Sequence, residues 1–188
     1  MKERKISASL LLTFLLFAPI AAGSADRPRP EGSNENYRSS DCSFNYPANF
    51  KVSKESRGAT IRIAAPSRSL YWDDTIIIRR HNKKTEECDI PQSSTPNVGG
   101  RRNIAGRRAV AYSGEDVAMN RLVNIKGYII ETATSCWRFE LVRNGRPYQK
   151  LDLSSEEVKR LDKQSNQDSE KANVAFDMVL DSFAFRRK

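Results

Sequence analysis

One histidine, His81, and three cysteines, Cys42, Cys88 and Cys136, are the whole supply of soft metal-ligating side chains in this 188-residue chain. They are too few for a His-rich catalytic metal site, a four-cysteine zinc site or an iron–sulfur cluster. The histidine sits in a run of bases, so no general base stands out. Gly-x-Ser-x-Gly, a phosphate-binding Gly-rich loop, His-Glu-x-x-His and Cys-x-x-Cys are all missing, and no cofactor is implied. Mean hydropathy is negative and 29% of residues are charged, which excludes a membrane bundle or a transporter. The length suits one domain and is too short for two sizeable ones.

What is present is most readable at the start. Lys2, Arg4 and Lys5 precede an apolar stretch from Ile6 to Ala22, and Pro19 breaks it ahead of the small-residue run Ala21-Ala22-Gly23-Ser24-Ala25. This is the form of a cleaved export signal over residues 1–25, with an apolar part shorter than the ~20 residues a spanning helix wants. No cysteine follows closely, which disfavours a lipid anchor. The expected location is periplasmic or extracellular, with no membrane span after signal removal. Removing the signal's three bases and one acid takes the net charge from +9 to +7, so the basic balance belongs to the mature chain. Residues 26–41 have almost no apolar side chains and read as a disordered leader. The folded domain is expected over 42–188.

Strands come first. Phe44 to Val52 alternates around Pro47 and reads as a broken strand. Ala59–Ala64, after Gly58, places Ile61 and Ile63 on one face and ends at Pro66. Asp74–Arg80 is β-branched and continuous, as in a central strand buried on both faces. Asn82–Arg102 is polar and rich in Pro and Gly, and reads as a long connection. Arg107–Gly114 gives a strand and a turn. Met119–Arg143 has room for two or three more strands, divided near Gly127 and near Thr134. The strand Cys136–Val142 alternates cleanly and stops at Asn144-Gly145. A capping box, Ser154 with Glu157, predicts a short helix through Lys163. After a polar break, Ala172, Ala175, Phe176, Val179, Leu180 and Phe183 predict an amphipathic helix from Ser169 onward, lying on the sheet.

The segments Phe44-x-Tyr46-Pro47-x-x-Phe50-x-Val52, Gly106-Arg107-Arg108-Ala109 and Phe176-x-x-x-Leu180-x-Ser182-Phe183 resemble motifs of the PsbP/Mog superfamily, over Cys42 to Phe185. The resemblance implies an α+β fold, with an antiparallel sheet of six or seven strands and helices packed on its faces. It also implies an accessory, assembly or binding role without catalysis. The three cysteines depart from the family pattern, and no functional residue carries over.

An exported chain with three cysteines is expected to form one disulfide, and three pairings are open. Cys88–Cys136 is slightly favoured because it would tie the polar loop to the Trp137 strand; Cys42–Cys88 and Cys42–Cys136 remain. The odd cysteine is expected to be structural rather than a reactive thiol. Arg79, Arg80, Arg101, Arg102, Arg107 and Arg108, with His81, Lys83 and Lys84, cluster around one loop region in sequence. Were they one patch near Tyr71, Trp72 and Tyr112, they could bind an anionic envelope component or a protein partner through forked hydrogen bonds. Nucleic acid is disfavoured by export, and intervening Glu86, Glu87 and Asp89 favour a plain solvated surface. Tyr71-Trp72-Asp73-Asp74 reads as a turn or cap, since adjacent carboxylates on an extended chain point apart, and Glu115-Asp116 has the same defect. The expectation is a non-enzymatic exported binding or accessory protein acting through a basic loop face. The alternative is a hydrolytic or redox enzyme using a free cysteine or unpaired carboxylates.

Overall fold

In the computed structural model, residues 32–55, 60–66, 69–83, 88–92, 94–118, 121–146, 148 and 151–186 are described. The expected export signal, residues 26–31 of the expected leader, Gly58, Ala59, Lys84, Glu86, Glu87 and Met119 lie outside them.

The strands are β1 (Asn34–Arg38), β2 (Cys42–Pro47), β3 (Lys51–Lys54), β4 (Thr60–Ala64), β5 (Trp72–Asn82), β6 (Ser94–Ile104), β7 (Arg107–Ala118), β8 (Arg121–Glu131) and β9 (Ser135–Gly145). Helix α1 (Ser155–Ser182) and the short β10 (Ala184–Phe185) follow. Seven strands form an antiparallel sheet in the order β3-β4-β5-β9-β8-β7-β6, and β1-β2-β10 form a second, smaller one. The fold is α+β, as expected, with one helix among the described residues where the sequence suggested helices on the sheet's faces.

Period-two alternation assigns each side chain to a face. Ile61 pairs with Ile78 and Ile63 with Ile76, then Ile76 with Leu141 and Ile78 with Phe139, so one row of apolar residues crosses three strands. This inner face meets Phe44 of β2 and Ala172, Ala175, Phe176, Val179 and Leu180 of α1 in the main core. Phe183 ends the helix and packs between Phe139 and Trp137, with ring centroids 4.8 and 5.4 Å away. Ile77 points to the other face and is also buried, which accounts for the continuous Ile76-Ile77-Ile78 run. On that outer face Tyr112, Ile129 and Cys136 make a smaller cluster beneath Cys88 and Ile90.

Four departures from the sequence reading have physical causes. Asn34–Arg38, expected in the disordered leader, is the edge strand β1, where backbone pairing to β2 and stacking of Tyr37 on Phe44 at 4.8 Å offset its poor apolar content. The polar stretch expected as a connection through Arg102 is in part β6. It is joined to β7 by a two-residue hairpin in which Ala105 and Gly106 both have positive φ, 51° and 75°. Gly127 marks no division: it lies in mid-strand because the Tyr112 ring crosses it, and a Cβ there would stand 2.6 Å from both Cε1 and the hydroxyl of Tyr112. Finally, the two expected helices are one. The capping box at Ser154 and Glu157 forms as predicted. The expected polar break stays helical because it contains neither Gly nor Pro, and its polar groups bond to the sheet: Asp168 accepts from the Trp72 indole of β5 at 3.3 Å, and the Ser165 carbonyl accepts from Arg143 of β9 at 2.9 Å.

Candidate functional site

The strand register divides the arginine cluster. Arg102 pairs with Ala109 and Ile104 with Arg107, which puts Arg102 and Arg107 on the inner, helix-bearing face; Arg101 and Arg108 lie on the outer one. Arg102 is consumed by α1, bonding Asp177 and, at 2.6 Å, Asp181. Arg107 lies over the Phe185 ring at 5.4 Å. Arg80 is on the inner face too, paired with Asp41 at 2.9 Å and lying over Trp137. Arg79 faces outward and pairs with Glu140, a carboxylate only 2% exposed. Glu140 also accepts from the Tyr112 hydroxyl at 2.8 Å. Burial together with the Glu140 charge pushes the Tyr112 hydroxyl well above its ordinary range, so it remains a donor. Arg108 and Arg101 are left exposed, three and four strand spacings or roughly 14 and 19 Å from the β5 arginine. Lys83 is paired with Glu131 at 2.7 Å. The six arginines form no single patch.

The cysteines follow the favoured pairing. Cys88 and Cys136 are bonded, with Cα atoms 5.6 Å apart, and pin residues 88–92 to the outer face. Cys42 is free and 1% exposed. Burial foremost raises its thiol above the usual value, which disfavours the nucleophilic thiolate.

The arrangement with the most chemical content is a cleft of about 690 Å³ on the inner side, between the middle of α1, the β2–β3 turn and the start of β5. That size is in the range of small-molecule sites, ~300–1,000 Å³. Its apolar lining comes from Phe50, Trp72, Ala175 and Met178, with Val174, which stays 60% exposed on the helix surface facing the opening. Trp72 is locked in place: its indole N–H donates to Asp168 at 3.3 Å, its ring meets Tyr148 at 5.8 Å, and Arg143 lies over it at 5.8 Å.

Asp74 stands at the base of the cleft, on the same strand face as Trp72, and is 6% exposed. Its charged neighbour is the Arg143 Nε, 3.6 Å away and outside hydrogen-bond distance. Burial raises the Asp74 carboxyl above its usual value; Arg143 opposes this, and the charges of Asp168 and Asp73 reinforce it. Asp73 points the other way, exposed and bonded by Asn144 at 3.0 Å, as the alternation predicted. The stretch read as a turn is therefore the beginning of a strand. Its i, i+2 pair Trp72 and Asp74 carried the signal that they share a face. The contributions of Asp168, Val174 and Met178 were hidden, because the helix was read only for its core stripe.

No protein-family model matches the chain, and no curated protein matches it.

Proposed function

We propose that the protein is an exported, non-catalytic binding protein whose ligand seats in the cleft beneath α1 rather than on a basic loop face. One observation carries this reading: a cleft of ligand-sized volume has an apolar lining held rigid around Trp72 and a nearly fully buried carboxylate, Asp74, at its base. Few convergent polar groups in an apolar concavity are the usual design of a small-molecule site. The Cys88–Cys136 bond supports export, because such bonds persist in oxidising compartments. The antiparallel sheet closed by a C-terminal helix, together with the short motifs at Phe44–Val52 and Phe176–Phe183, supports a place beside the PsbP/Mog superfamily and its accessory role.

The test uses a neutral apolar probe. Nile red should bind the mature chain with one-to-one stoichiometry and a blue-shifted emission, and Val174→Arg, which sets a charge in the opening at an already exposed position, should weaken that binding at least tenfold. Binding indifferent to Val174→Arg, or no binding, would sink the proposal.

A further inference from the structure

Charge is distributed against the overall sign of the protein at this cleft. The chain carries +9 in total, yet the carboxylates of Asp74, Asp168 and Glu170 line the cleft against a single lining base, Lys171. Arg143, the other nearby base, is already committed. Its Nη2 donates to the Ser165 carbonyl at 2.9 Å, its guanidinium covers Trp72, and its Nε is ion-paired with Asp74 at 3.6 Å, too long for a hydrogen bond. Among the described residues no side chain donates a hydrogen bond to the Asp74 carboxylate, and its oxygens are not sealed off as unpartnered atoms, so a donor can reach them from the cleft.

A metal ion does not suit the donors. Among the described residues no three His, Cys, Asp or Glu side chains converge closely enough to hold one. Two carboxylates beside an apolar wall instead match a ligand with a single cationic head and an apolar body. Resting on the cleft reading above, we propose that the site is selective for small amphipathic organic cations. The ammonium or guanidinium group would be taken by Asp74 and Asp168, and the apolar part laid along Phe50, Trp72 and Met178. A bound N–H donor would supply the bond Arg143 does not reach. A charge-assisted bond in a water-poor site is worth roughly twice a neutral one, so the head group should dominate selectivity.

The experiment compares 4-phenylbutylamine, 4-phenylbutanol and 4-phenylbutanoate, which share one apolar body, by calorimetric titration at pH 7 beside the Nile red assay. The amine is expected to bind at least tenfold more tightly than the alcohol, and the carboxylate not measurably. Asp74→Asn should bring amine and alcohol within threefold of each other. Asp168→Asn keeps an acceptor for the Trp72 indole and should reduce the preference in the same direction, so the inference stays testable if the first variant does not fold. Nile red binding with amine and alcohol equal in the unmodified protein would overturn the cation selectivity alone. A preference that survives both substitutions would overturn the assignment to these carboxylates. Failure of every ligand, Nile red included, would overturn the cleft reading itself.

Discussion

Replacing Gly127 by alanine adds one methyl group to mid-β8, and the consequence follows from what lies over it. The new Cβ would stand 2.6 Å from Cε1 and the hydroxyl of Tyr112 and closer still to Cζ, so the ring must move. The ring is 1% exposed, with little room to move into. Overpacking of this kind costs about 1–3 kcal/mol. Displacing the ring also breaks its hydrogen bond to the buried Glu140, and an orphaned buried acceptor adds about 1–3 kcal/mol. Together these predict a loss of roughly 2–6 kcal/mol, and at ~2–4 °C per kcal/mol for a domain of this size the Tm should fall by roughly 4–24 °C. The assay is a double-mutant cycle by urea and thermal unfolding. Tyr112→Ala alone should cost about 3–5 kcal/mol, as aromatic truncations in cores do. In its background Gly127→Ala should be neutral or slightly stabilising, because the clash is gone and alanine restricts the unfolded chain more than glycine. An equal cost of Gly127→Ala in both backgrounds would refute the reasoning, since contact between the two sites requires non-additivity.

Two further outcomes are expected. Asp74→Asn should raise the Tm at pH 7–8. Asp73, Arg143, Asp168, Glu170 and Lys171 surround this carboxyl, and its folded-state pKa lies above the unfolded ~3.9, so the folded state holds the proton more tightly and the relative stability present at low pH is lost as pH rises through the folded value. The advantage of the variant should therefore shrink below about pH 4, and a variant less stable than the parent at pH 7 would count against it. Removing the Cys88–Cys136 bond by a double alanine substitution frees a loop of separation 48 and should cost roughly 4 kcal/mol from loop entropy; unchanged urea unfolding would show that residues 88–92 are held by packing alone.

Where periodicity and burial coincide, the sequence was readable. The Ile76-Ile77-Ile78 run, the alternation through Cys136–Val142, the capping box at Ser154 and the stripe from Ala172 to Phe183 all appear as expected, because each is decided by local chemistry. What was not readable depends on partners distant in sequence. β1 is a strand because β2 is there to pair with it, and β6 because β7 folds back over the Ala105-Gly106 turn. Gly127 looks like a breaker until Tyr112 is seen across it. The candidate site fails to show for the same reason: Trp72 and Asp168 are 96 residues apart and are joined only when α1 docks on the inner face. Arginine doublets such as Arg101-Arg102 and Arg107-Arg108 look like a patch in one dimension, whereas two-residue alternation assigns the members of each to opposite faces.

That division decides where an excess of positive charge matters. Arg102 secures α1 through Asp177 and Asp181, Arg80 secures the entry to β2 through Asp41, and Arg79 neutralises a carboxylate inside the outer cluster. Each of these arginines has its oxyanion already, and taking one for an external anion would leave a carboxylate behind without its partner, Glu140 in a buried position. Asp74 is the converse case. It is buried, its ion pair with Arg143 is 3.6 Å long and without a hydrogen bond, and burial raises its carboxyl above the ordinary value, so the fold would be better served by a neutral residue. A carboxylate whose charged form burial disfavours, at the base of a cleft, is a candidate binding group. A cation delivered on an apolar stem would stabilise its charged form.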